Sequence, residues 1–340
     1  MRNRALQLVV MFSIFVGPAL AEDAAMIAAA KREGSVTVYT TLVINQLVRP
    51  MADAFQARYG VKVNPVRADP AEIVRRVTAE AKAGRFEGDV FDGTTTAPAL
   101  AAQDLVLKWT PENAANLPKD FVDAQGHWFA MYVLVSTPAV NTQLVKAADE
   151  PKSWQDLLQP RWKGKMIWSG GTASTGSVGF VALALRELGP DRGRAYLSEL
   201  ASQNVVSVPS ATRQILDQVI AGEYELSIMS SVHQVLFSAS EGAPIKYIPV
   251  SPAALSIVST SVAKNAPHPN AAKLYVEFLL SDQGQTIFRD NYYIPASTRV
   301  KAKDPEAFPD GSRFRGHFFS PEELVEKTPD WLAIFRQYFR

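Results

Sequence analysis

The sequence predicts an α/β fold with mostly parallel strands, and three observations carry that prediction. Short runs with alternating apolar residues take turns with longer runs at helical spacing. The joins between them are rich in glycine and hydroxyl residues, and no internal repeat or low-complexity tract interrupts the alternation. At 340 residues with 47% apolar side chains, the chain is long enough for two domains and a substantial core.

The first elements set the compartment and the grammar. Arg2 and Arg4, the apolar run "ALQLVVMFSIFV" and the ending Ala19-Leu20-Ala21 form the pattern of an export leader over residues 1–21, cleaved before Glu22. That run is too short to span a bilayer. Next, "SVTVYT" (35–40) alternates as a strand, and Val48, Met51, Phe55 and Tyr59 recur as one helix face ending at Gly60. "VKVNPV" is a second strand. Asp69, Pro70 and Glu72 then give an N-cap, a first-turn proline and the return carboxylate of a capping box, for a helix running to Gly84. "DVF" (89–91) is a third strand, leading into "DGTTTAP".

The middle block repeats this order. "KMIW" (165–168) is a strand, "GSVGFVALALREL" a helix stopped by Gly189, and "NVVSV" a strand. Ser210 is the expected cap of "ATRQILDQVIAG", with Ile215, Leu216, Val219 and Ile220 in one stripe. "YELSIM" alternates into "SSVHQ", "ALSIVSTSVAK" (254–264) is a long strand, and "PNAAKLYVEFLLSDQG" a helix capped by Asn270. From residue 296 the chain reads as irregular until a terminal helix around "DWLAIFRQYF". No Gly/Ser-rich linker appears, so "WFAMYVLVS" (128–136) and "IKYIPVSPAALSIV" (245–258) are read as strands crossing between two lobes. The expected lobes are 22–133 with 249–340, and an inserted 134–248.

Composition narrows the chemistry. The 35 basic and 34 acidic residues nearly cancel, so neither nucleic acid nor an anionic membrane surface is an expected partner. With no cysteine there is no thiolate metal site and no cysteine nucleophile. Four histidines occur, none at metal-ligand spacing, and neither a metal site nor a cofactor is expected.

The hydroxyl loops form the candidate site. Thr40-Thr41, Thr94-Thr95-Thr96, Ser174-Thr175-Gly176, Ser210-Ala211-Thr212 and Ser230-Ser231 each follow a strand, where ligands bind in open α/β sheets. Exposed N–H groups and the positive helix end there suit carboxylate, phosphate or sulfate. Each hydroxyl also has a plainer use as the cap of its own helix. "GGTASTGSVG" (170–179) lacks the Gly-Lys-Ser/Thr of a nucleotide loop, and its glycines miss the Gly-x-Ser-x-Gly offset around Ser177. A secreted serine hydrolase using Ser177 and His233 is therefore a poor alternative. Arg213 sits in a first turn, where it opposes the helix dipole unless an anion joins it; Arg67 is a weaker second cation.

At "PKSWQDLLQPRWKGKM" (151–166) the sequence resembles the periplasmic solute-binding proteins of ATP-driven (ABC) importers, in the ferric-iron-type branch of the type II fold. "VYTT", "STGS", "GEYELSIMSS", "PNAAKLYVEFLLSDQGQ" and "NYYIPAS" extend the likeness over essentially the whole exported chain. The resemblance implies two α/β lobes closing on a ligand, joined by two crossing strands, with the cleft between them. It also implies a periplasmic location, an inner-membrane ABC permease as partner, and no catalysis. A monomer is expected. Ferric members carry adjacent tyrosines where Val232 and His233 stand here, and Tyr292-Tyr293 lies too late to replace them. The ligand expected is a small anion, an organic acid or a phosphorylated compound, with ferric iron as the alternative. The residues expected to line the site are Thr40, Thr41, Thr95, Tyr132, Ser174, Thr175, Gly176, Arg213, Ser230, Ser231 and His233.

Overall fold

A computed structural model describes residues 18–170 and 176–339, with the side chains of 18–23 not described. Most of the predicted leader therefore lies outside the described residues. Helix α1 (Pro18–Glu33) leads into strand β1 (Ser35–Thr40), helix α2 (Arg49–Tyr59), β2 (Lys62–Arg67), α3 (Pro70–Lys82), β3 (Val90–Gly93) and the short α4 (Thr96–Ala101). The long strand β4 (Phe129–Asn141) carries the chain into β5 (Met166–Ser169), α5 (Ser177–Leu188), α6 (Pro190–Ala201), β6 (Val206–Val208) and α7 (Thr212–Ile220). After these come β7 (Leu226–Ser231), α8 (Val232–Ser240), β8 (Ile245–Tyr247) and the second long strand, β9 (Ala253–Val262). The chain closes with α9 (Pro269–Leu280), α10 (Asp282–Asp290), β10 (Ile294–Pro295), β11 (Gly316–Phe318) and α11 (Pro321–Tyr338).

The main sheet has the order β2-β1-β3-β9-β4-β7-β5-β6. Its two ends are parallel triplets, β2-β1-β3 and β7-β5-β6. Its centre is antiparallel: β9 pairs with β3 and β4, and β4 with β7. The expectation of mostly parallel strands is thus corrected. One long strand takes the chain out of the first triplet and another brings it back, so the two must run in opposite directions. All 13 residues of β4 and all 10 of β9 are buried, which is why both read as unbroken apolar or small-residue runs.

Separate cores sit at the two ends. One collects Val36, Phe55, Met51, Tyr275, Phe278 and Phe288 around the first triplet. The other packs Trp162, Trp168, Phe180, Leu197 and Leu226 against Phe335 of α11 and Phe339 just past its end. Thus α11 lies on the middle block, with Phe339 edge-on to Trp168 at 4.6 Å. The segment that carried the family likeness is a fastening for this second core. Ser153 and Asp156 form a capping box, Trp154 donates to the Pro252 carbonyl at 2.9 Å, and Trp162 is fully buried.

Several sequence expectations about helix ends fail in an instructive way. Asp69 precedes α3, but its carboxylate caps nothing and no capping box forms with Glu72. Ala211, not Ser210, is the N-cap of α7; Ser210 instead accepts the Ser169 hydroxyl on its carbonyl at 2.6 Å. Asn270 lies inside α9, whose first N–H groups are taken by Glu33 of α1. The predicted helix from residue 269 breaks at Ser281, whose hydroxyl accepts from Gly284 and starts α10. The terminal helix is longer than expected, because Ser320 caps it at Pro321 and Pro329 is tolerated within it.

Candidate functional site

Three groups of residues meet along the line where the two triplets join. The first comes from β1 and β3. Asp92, near the end of β3, is 3% exposed, and its Oδ1 accepts from both the N–H and the hydroxyl of Thr41, each at 2.7 Å. The Thr40 hydroxyl also lies on Asp92 and accepts from the Leu42 N–H at 3.1 Å. Burial pushes the Asp92 carboxyl up to about 6, against the lowering effect of these hydrogen bonds. Gly93 follows at φ 146°, where a Cβ would meet the Thr96 hydroxyl at 2.2 Å, so only glycine lets β3 turn into α4 here. Thr95, partly buried, is the N-cap residue of α4 and makes no side-chain cap.

The second group is aromatic. Tyr132 sits on β4 at the register shift opposite β9, and β10 pairs with it on the other side. Its ring meets Tyr293 edge-on at 4.8 Å and Phe288 at 5.5 Å. Tyr293 is aimed here by Tyr292, which holds a left-handed φ of 65° between α10 and β10. Burial raises the phenol pKa of Tyr132, Tyr275 and Tyr293, and the nearby Asp92 charge adds to all three.

The third group belongs to β7 and α8. Ser230 is 1% exposed and its hydroxyl has no hydrogen-bond partner among the described residues. Ser231 is the N-cap residue of α8 but caps nothing. His233, in the first turn, is 8% exposed and stacks on Tyr293 at 4.2 Å with 25° between the rings. Its imidazole makes no hydrogen bond among the described residues, and burial pushes its pKa down to about 3, so it is neutral at ordinary pH. The structure therefore gathers Thr40, Thr41, Tyr132, Ser230, Ser231 and His233 around one junction.

Other expected site residues fare differently. Ser174 and Thr175 lie outside the described residues. Gly176 is the N-cap of α5, again without a side-chain cap, beside the fully buried hydroxyl of Ser177. Arg213 does not stand free for an anion: it donates to Asp217 at 2.6 Å and to Ser238 at 2.9 Å, with its side chain 44% exposed. An i,i+4 carboxylate resolves the conflict with the helix dipole that the sequence assigned to a ligand. Sequence reading missed Asp92 and Tyr293. The first stands in "DGTTT", where only its burial marks it; the second lies too late in the chain to match the ferric tyrosines, and its closeness to His233 is visible only in the fold.

The helix starts around this junction share a property. The helices α3, α4, α5, α7 and α8 each follow a strand, and none has a side-chain cap among the described residues. Their first N–H groups have positive character with no protein acceptor assigned by a cap. Among the described residues no cluster of three or more His, Cys, Asp or Glu is placed to hold a metal ion.

Comparison with known proteins agrees with this architecture. The family described as bacterial extracellular solute-binding protein matches residues 50–311. The chain belongs to that family. It is 24% identical over 292 residues to the Fe(3+)-binding periplasmic protein of Serratia marcescens, covering 83% of this chain and 84% of the relative. It is 27% identical over 270 residues to a putative 2-aminoethylphosphonate-binding periplasmic protein of Salmonella typhimurium, covering 75% of this chain and 76% of that one. Among solved structures it resembles the periplasmic binding protein AfuA from Actinobacillus pleuropneumoniae with fructose-6-phosphate bound. The TM-score is 0.73 at 21% identity, over 89% of this chain and 99% of that one.

Proposed function

We propose that this bacterial extracellular solute-binding protein works in the periplasm, closes two lobes on a small anion and delivers it to an inner-membrane ABC permease. The lobes divide between Val133 and Leu134 and again between Ile248 and Pro249, with α11 fastened to the second. The protein acts as a monomer and binds without turnover. Thr40, Thr41, Thr95 and Tyr132 contribute from the first lobe and the crossing strand. Gly176, Ser230, Ser231 and His233 contribute from the second, together with Ser174 and Thr175.

The observation that carries this reading is the uncapped start of α8. There the Ser230 hydroxyl and the His233 imidazole, both in buried residues, have no hydrogen-bond partner among the described residues, at the start of a helix with no side-chain cap. An anionic head group satisfies that arrangement, and relatives named for a phosphonate and a sugar phosphate are consistent with it. Periplasmic relatives support the location, and among the described residues no helix is long and apolar enough to cross a membrane. The test is titration calorimetry of small phosphonates, phosphate esters and carboxylates, with X-ray scattering in parallel. Tight binding of one class with compaction and no turnover is expected. Binding of neutral sugars alone, or ester hydrolysis requiring Ser177 or His233, would remove the reading.

A second reading is ferric iron, favoured by the meeting of Tyr132, Tyr293 and His233 near Asp92. Phenolate, imidazole and carboxylate suit a hard ion. A visible phenolate-to-iron band on adding ferric citrate, lost in Tyr293→Phe, would establish it. The anion reading expects no such band.

A further inference from the structure

We infer that the ligand is bipolar: it presents an amine or other cationic nitrogen to Asp92 while its anionic group takes the helix starts of the second lobe. This rests on the proposed anion-capture function and narrows its ligand class.

Two buried aspartates on neighbouring positions of the same segment make the case. Asp89 is fully buried and fully engaged: it accepts from the N–H groups of Thr37 and His268, both at 2.7 Å, and faces the His268 ring at 2.9 Å. Asp92 has only neutral donors, from Thr40 and Thr41, and no Lys, Arg or His forms an ion pair with it among the described residues. A buried carboxylate held only by neutral donors, one backbone N–H and two hydroxyls, costs free energy that a cationic partner would recover. Its charged neighbours do not compensate it either. His233 is neutral, and Arg67, which bears on Tyr293, is exposed at the end of β2. The remaining neighbours are the phenols of Tyr132, Tyr275 and Tyr293, whose ring faces attract cations. A purely anionic ligand would be repelled on this side, whereas an ammonium would meet a carboxylate and aromatic rings together. The carboxyl pKa of about 6 keeps Asp92 ionised at neutral pH, as such pairing requires.

The experiment uses matched anions with and without an amine on the full exported protein at neutral pH. The pairs are 2-aminoethylphosphonate with ethylphosphonate, phosphoethanolamine with ethyl phosphate, and β-alanine with propionate. At least one amine-bearing probe should bind about tenfold or more tightly than its partner, the scale of one charge-assisted hydrogen bond. Asp92→Asn should erase that advantage, weakening the amine-bearing probe and, by removing a like charge, holding or tightening the amine-free one. Equal or tighter binding of the amine-free partners overturns the inference and leaves the anion reading standing, as does an advantage that survives in Asp92→Asn. If no anion of either set binds, the anion reading falls and this inference with it. Should Asp92→Asn fail to fold, the wild-type pairs alone decide.

Discussion

Helices at the periphery and helices at the junction end their N-termini in opposite ways. Peripheral α9, α10 and α11 are capped by Glu33, Ser281 and Ser320, so their first N–H groups are satisfied within the fold. The helices that follow strands, α3, α4, α5, α7 and α8, have no such cap among the described residues. At α3, α4 and α8 the difference is not one of residue type, since Asp69, Thr95 and Ser231 are all good cap formers, while α5 and α7 have Gly176 and Ala211 at that position. The two groups differ in place. Three peripheral helices have a side chain on the first donors, whereas all five helices that follow a strand lack one among the described residues; α2 and α6, which do not follow a strand directly, lack one as well.

The comparison can be broken most forcefully by giving α8 its own anion. Ser231→Asp places a carboxylate at the N-cap, which should stabilise the unliganded protein by about 0.5–1 kcal/mol through the helix dipole. The same charge should weaken binding of an anionic ligand by about 2–4 kcal/mol, because like charges then share the site. Thermal melts and calorimetric titration of the variant check both signs. The converse change is at the periphery. Glu33→Ala strips α9 of bonds to the Asn270 and Ala271 N–H groups at 3.2 and 2.7 Å. It should cost about 1–3 kcal/mol in denaturant melts and leave affinity unchanged.

A third change sharpens the picture of Asp92. Its pKa of about 6 in the folded state lies above the ordinary 3.8, so the folded protein binds that proton more tightly than the unfolded chain does. Wild-type stability from this group therefore falls as pH rises through that window, and Asp92→Asn escapes the loss. The variant should gain on wild type between about pH 4 and about pH 6 and level off near 1–3 kcal/mol above that. Denaturant titrations across this range measure the gain. His233 works in the other direction: with a folded pKa near 3 against 6.5, it favours the fold above its unfolded value and loses that contribution as pH falls. The smallest effect is expected at Arg213. Since Asp217 already neutralises an exposed guanidinium, Arg213→Ala should change affinity by less than about 1 kcal/mol in titration calorimetry.

Much of the fold was legible because periodicity is local. The strand at 35–40 has the ends its alternation predicts, and of the crossing runs expected at 128–136 and 245–258 the first falls on β4 while the second takes in β8 and the start of β9. Helix α6 escaped notice because its Pro190 start follows directly on the Gly189 stop of α5. The antiparallel centre was not legible because strand direction at the crossing depends on connectivity, which no single run encodes. Site residues were legible only as far as strand-end loops or the family likeness mark them. Thr40 and Ser230 are marked the first way and His233 the second, while Asp92 and Tyr293 depend on burial and on a ring stack between residues 60 positions apart in the chain. Capping was overread at Asp69 and Ser210 because cap preference is a statistic of isolated helices, and both sit where the sheet ends in a cleft.

The central claim, that the open helix starts and Asp92 together hold a small bipolar solute, is tested most directly by native mass spectrometry of the protein isolated from its own periplasm. One bound organic molecule carrying both an acid and an amine is expected. A bound ferric ion, or a neutral sugar or polyol, would contradict it.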